Sequence, residues 1–137
     1  MRAILDTNVL VAALIAPNGS PHQLFEAFLA DRFTLITGTL QIEEFSRVTR
    51  YPAIRTRIHP AQAGRMLNAI RALAINIENP PVKSVSRDPN DDYLFAMADA
   101  GEADYLVTGD KADVMALVRH WKTQIVTVRQ FTEILKL

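Results

Sequence analysis

Four carboxylates hold the chemistry that this sequence could perform. Asp6 interrupts the apolar run "RAILDTNVLV", where a chain that needed only a core has no use for a charge. Asp110 stands in the same relation to a second apolar stretch, "YLVTGD". Between them lie Glu44, in "LQIEEFSRV", and Asp92, in "DDYLFAMADAG". Carboxylates gathered within a few ångströms repel one another unless divalent cations screen them, and hard oxygen donors suit Mg²⁺ or Mn²⁺. Such ions hydrolyse phosphate esters by activating water and steadying the leaving oxygen. Asp113 could join the set at its periphery or through water. Each acid also has an ordinary explanation alone. Asp favours turns after strands, and acids suit the first turn of a helix. What those explanations leave open is why all four should lie at one end of a sheet.

The elements that would position them alternate. Residues 3–5 read as a short buried strand, 21–32 as a helix after the turn signal Asn18-Gly19-Ser20, and 34–37 as a strand. Residues 40–50 read as a helix stopping before Pro52, and 60–74 as the clearest helix, with a proline in its first turn. Residues 75–77 form a short apolar stretch before the turn-rich "ENPPVKSVSRDPN". Helix is then expected at 91–101, strand at 104–108, helix at 114–121, strand at 124–128 and a closing helix at 129–135. The alternation predicts an α/β domain, three-layer α/β/α with a central, mostly parallel sheet, occupying residues 1–137 as one unit. In such sheets sites form beyond the carboxyl ends of the strands. Asp6 and Asp110 would both be delivered there, with Thr7 and Asn8 beginning the turn after the first strand.

Helical projection chooses between adjacent acids. With about 100° per residue, Glu44 falls at the edge of the apolar stripe of its helix, whereas Glu43 points away beside Arg47 and Arg50. Asp91 is the natural helix cap, and Asp92 lines up with Phe95 and Ala96 on the packed side.

Apolar residues make up 49% of the chain and charged ones 22%, a soluble globular balance, and the absence of cysteine excludes disulfides and thiolate metal sites. Without signal-peptide regions or an apolar run near the roughly 20 residues that span a bilayer, the expectation is a cytoplasmic protein with no membrane association. Net charge is zero, yet residues 45–77 hold no acid while carrying Arg47, Arg50, Arg55, Arg57, Arg65 and Arg71. Residues 88–113 hold eight acids and one base, Lys111. The layout suggests a cation site beside a surface for anions. Asn8 replaces the second aspartate that a haloacid-dehalogenase-type phosphatase needs, and "DPNDDY" lacks the glycine and distal glutamate of a calcium loop. No Walker loop, G-x-G-x-x-G or H-E-x-x-H is present.

Three segments, "AILDTNVLVAAL", "LQIEEFSRVTRYP" and "DPNDDYLFAMADAGEADYLVTGDKAD", in this order, resemble the PIN-domain family, particularly VapC-type toxins of toxin–antitoxin pairs. The resemblance covers nearly the whole chain and matches Asp6, Glu44, Asp92 and Asp110 to the family's acidic positions. It implies an endonuclease for single-stranded RNA dependent on Mg²⁺ or Mn²⁺, a homodimer, and a cognate antitoxin that covers the cleft. It also implies that Asp6, Asp92, Asp110 and Asp113 ligate metal and that Asn8 and Thr108 support the first acid and its loop. Ala112 separates Lys111 from Asp113 where many relatives have a shorter run, which leaves the role of Asp113 open. On this view Arg47, Arg50, Arg55 and Arg57 would receive RNA phosphates. A module of the same fold that binds RNA or protein without cutting is the rival, separable by its indifference to metal.

Overall fold

The computed structural model describes residues 1–78, 80–85, 89–109 and 119–137. Among these residues the sheet has six strands: β1 (Arg2–Leu5), β2 (Thr34–Gly38), β3 (Ile75–Ile77), β4 (Tyr105–Thr108), β5 (Arg119–His120) and β6 (Thr123–Thr127). They lie in the order β3-β2-β1-β4-β6-β5, all pairs parallel except β5 with β6. Side chains alternate through the sheet. Ala3, Leu5, Leu35, Val107 and Val126 enter one core, and Ile4, Ile36, Leu106 and Ile125 enter the other. Burial on both faces is what a parallel sheet requires and makes three layers.

The first core is covered by α1 (Thr7–Ile15), α2 (Ser20–Leu29), α3 (Thr39–Val48), α5 (Pro60–Leu73) and α7 (Val128–Leu135), with the single turn α4 (Pro52–Arg55) between α3 and α5. The second is covered by α6 (Asp92–Gly101), entered through a 3₁₀ turn at Pro89–Asp91. A Cβ on Gly101 would stand 2.8 Å from Ile36 Cγ2, so the missing side chain is what lets α6 lie this close to β2.

The expected fold is thus present, with two differences in its elements. Residues 7–15 form a helix, where only a turn beginning at Thr7 and Asn8 was expected. Six of its nine residues are buried, so it lacks the polar face by which helical periodicity is recognised. Arg119 and His120, expected in a helix, form an edge strand instead, paired with Gln124 and Thr123 through the two-residue turn Trp121-Lys122. Pairing with β6 overrides local preference here. Residues 114–118 of that expected helix lie outside the described residues.

Candidate active site

Strand order reverses direction between β1 and β4, and the two strands end side by side, Leu5 opposite Val107. A crevice beyond the carboxyl ends of the strands at such a point is where open parallel sheets bind ligands. Asp6 is the next residue after β1. Its amide donates to Val107 O at 2.9 Å, which extends the parallel pairing by one bond before the chain turns into α1. It is fully buried, the N-cap of α1, with Oδ1 accepting from the Asn8 amide at 3.5 Å. Oδ2 accepts from Thr108 Oγ1 at 3.0 Å, at the end of β4. Thr108, expected as a support, is therefore in direct contact with Asp6, whereas Asn8 reaches it through its backbone and exposes its side chain.

A second polar brace holds the end of β1 from the side of β2. Gln41, on α3, is buried and donates from Nε2 to Leu5 O at 2.6 Å, while its Oε1 accepts from Thr37 Oγ1 at 2.8 Å. The carbonyl just before Asp6 is thereby satisfied away from water. Neither Gln41 nor Thr37 figured among the expected site residues. The signal available was a lone amide three positions before Glu44, on a helix whose neighbouring Phe45 is core.

Glu44 and Asp91 act, with Asp6, on Tyr93. This side chain is part-buried, with its hydroxyl 2.9 Å from Thr7 Oγ1. Burial pushes its pKa well above the ordinary phenol value. The bond with Thr7 works in the other direction, and the negative charges of Asp6, Glu44 and Asp91 push it further up. Three carboxylates from three elements therefore act on one phenol. Asp91 and Asp92 are both buried, but they differ in what they touch. Asp92 Oδ1 accepts from the Val85 amide at 3.0 Å, which ties the segment before α6 to the helix start. Asp91 occupies the expected cap position yet makes no side-chain capping bond.

Glu44 is partly exposed and Glu43 exposed, as the projection predicts. Glu44 Oε2 accepts a short hydrogen bond from Arg47 Nη2, one turn further on. Both line a cleft of about 410 Å³ together with Leu40, Glu43, Val82 and Tyr93. The arginines are not gathered on one surface. Arg50 and Arg55 line a separate cavity of about 400 Å³ between α3 and α5, and Arg57 is exposed beyond α4.

Asp110 and Asp113 lie outside the described residues. Among the described ones, no group of three or more His, Cys, Asp and Glu is placed to hold a metal ion. The donor chemistry nonetheless fits a hard divalent cation: a buried carboxylate fixed by a hydroxyl and an amide, with further carboxylates near the same phenol.

This α/β architecture is shared with known proteins. A PIN-domain family model matches residues 2–112, and the chain belongs to that family. PIN domains are generally nucleases and usually draw on divalent metals. An uncharacterised protein of Methanocaldococcus jannaschii, MJ1680, is 25% identical over 118 residues, 85% of this chain and 75% of that protein. Among solved structures, PAE2754 from Pyrobaculum aerophilum superposes with a TM-score of 0.65 at 20% identity, covering 99% of this chain and 90% of the other. VapBC2 from Rickettsia felis, bound to a DNA fragment from their promoter, superposes with a TM-score of 0.57 at 16% identity, covering 93% and 98%. At these identities the structures speak for the fold.

Proposed function

We propose that the chain is a metal-dependent endoribonuclease that hydrolyses phosphodiester bonds of single-stranded RNA, and that it is the toxin component of a toxin–antitoxin pair. The observation that carries this is the Asp6 carboxylate, fully buried at the point where β1 and β4 part and held by Thr108. A charge is retained in such a place when a cation or reaction uses it.

Asp6, Asp92 and Asp110, with Asp113, would hold Mg²⁺ or Mn²⁺, and Glu44 would complete the catalytic set. Asp91 joins them, because its charge acts on Tyr93 together with those of Asp6 and Glu44. A bound divalent ion supplies Lewis acidity toward the phosphodiester and lowers the pKa of water. The chain's own groups do the rest. Thr108 and the Asn8 amide fix Asp6, and Gln41 fixes the strand end before it. Tyr93 stays a neutral phenol, adding no charge to an acidic edge. Arg47, Arg50, Arg55 and Arg57 meet RNA phosphates, Arg47 at the cleft and the others beyond it.

The likeness to the VapBC2 structure supports a cognate antitoxin protein as partner, and a homodimer is the expected state. Among the described residues no helix is long and apolar enough to cross a membrane, in keeping with a cytoplasmic role.

The test is cleavage of a mixed single-stranded RNA pool in Mn²⁺, Mg²⁺ and EDTA, by wild type and by Asp6→Asn, Asp91→Asn and Asp92→Asn. Cutting should need metal and vanish with Asp6→Asn, and Asp91→Asn and Asp92→Asn should each reduce it. Undiminished cutting in EDTA or by Asp6→Asn overturns the mechanism. RNA binding that depends on salt but not on metal, without cutting, identifies a binding module instead.

A further inference from the structure

Arg47 sits on an exposed helix face, a position where an arginine ordinarily serves only solubility. Its contacts here are more specific. Nη2 donates to Glu44 Oε2, Nη1 donates to Tyr51 Oη at 2.6 Å, and the guanidinium carbon stands 5.8 Å from the Tyr51 ring centroid. Of the described residues lining the acidic cleft, it is the sole base, against Glu43 and Glu44. Arg50 and Arg55 open onto another cavity and cannot take its place.

We propose that Arg47 is an exchangeable counter-ion, paired with Glu44 in the arrangement described and transferred to an RNA phosphate as the substrate backbone enters the cleft, so that Glu44 is released toward the divalent cation. The inference deepens the nuclease proposal and rests on it. Three features of the chain favour exchange over a fixed ion pair. The Arg47 side chain is 60% exposed, so its movement meets little packing resistance. A guanidinium has five donors in a planar fork, and one carboxylate oxygen and one phenol leave several for a phosphate. Tyr51 is itself exposed, so its ring can keep the guanidinium plane oriented while the anion on the other side changes. The proton affinity of Arg47 is raised, first by the hydrogen bond with Glu44 and then by that carboxylate's charge, so the group is a cation throughout.

Exchange makes metal and RNA respond in opposite directions to one substitution, which a structural ion pair does not. Arg47→Gln keeps the length and removes the charge, and Arg47→Lys keeps the charge and removes the fork. Mn²⁺ affinity is read without RNA by the electron paramagnetic resonance of free Mn²⁺. RNA affinity is read without metal, in EDTA, by fluorescence anisotropy of a labelled single-stranded oligonucleotide across a salt series. With Arg47→Gln, Mn²⁺ should bind about two- to fivefold tighter, the range expected for releasing a partly exposed carboxylate from its partner. RNA should bind more weakly, and the slope of log affinity against log salt should shrink by about 0.7, one phosphate contact on a single strand. Arg47→Lys should restore that slope. Unchanged or weaker Mn²⁺ binding, or an unchanged RNA salt slope, overturns the exchange. A wild-type protein that binds no Mn²⁺ marks failure of the nuclease proposal itself. Wild-type binding of Mn²⁺ with an unresponsive Arg47→Gln marks failure of the exchange alone.

Discussion

Replacing Thr108 by valine tests whether the site is built around a held, charged Asp6. The two side chains are nearly isosteric and Thr108 is fully buried, so Thr108→Val removes a hydroxyl without opening a cavity. What is lost is the 3.0 Å bond to Asp6 Oδ2. A hydrogen bond to an ionised group contributes about 1.5–3 kcal/mol. We expect Thr108→Val to destabilise the protein by about 2 kcal/mol. With an unfolding entropy of about 2.1 cal/mol/K per residue, a chain of 137 residues should lose roughly 7 °C in Tm. The assay is thermal and urea unfolding in EDTA, repeated in the Asp6→Asn background. Asn remains a good N-cap and a neutral acceptor, so the same hydroxyl should there be worth about 1 kcal/mol. The cycle should therefore show a coupling of about 1 kcal/mol. A loss under about 0.5 kcal/mol, or equal losses in both backgrounds, would refute the view that Thr108 secures a charged Asp6.

Two further expectations concern the layers around the site. Gly101→Ala should destabilise by about 1–3 kcal/mol less a helix-propensity gain of up to about 1 kcal/mol, since its Cβ meets Ile36 at 2.8 and 2.9 Å. Gly64→Ala in α5, with nothing within 4 Å of the new Cβ, should stabilise by about 0.5–1 kcal/mol in the same urea titrations. Tyr93 supplies a pH signature. Its folded pKa is raised, so the unfolded chain releases that proton near pH ~10 while the folded chain keeps it. Its contribution to stability is therefore complete below about pH 10 and is lost as pH rises further. Tyr93→Phe should flatten that alkaline loss and leave the phenolate absorbance gained up to about pH 11 unchanged. A diminished absorbance in the variant would show that Tyr93 titrates normally.

Much of this arrangement was legible in the sequence, for a physical reason. Strands buried on both faces are continuous apolar runs, and Asp6 stands out because it ends one of them. The stripe of α3 separated Glu44 from Glu43, because a helix exposes adjacent residues to different surroundings. Periodicity failed where it had nothing to contrast. In α1 the packing of Val9, Leu10, Val11, Ala13 and Leu14 leaves too little polar surface to mark a helix. It also could not separate Asp91 from Asp92, because the 3₁₀ turn before α6 rotates the first acid inward as well. Gln41 was illegible for a different reason: its partners, Leu5 and Thr37, come from two strands, and the pairing exists only after the sheet has formed.

The bond between Thr108 and Asp6 joins residues 102 positions apart. Translation therefore supplies the acid long before its holder. A nascent chain can pair β1 with β2 early, but the other edge of β1 stays open until β4 has been made. Until then the unpaired edge is a place for mispairing, and Asp6 has no wall on that side. A product terminated upstream of β4 carries Asp6 without the Thr108 hydroxyl that holds it. Enclosure of β1, and of the Asp6 carboxylate on that side, therefore waits for β4, although both are made well before it.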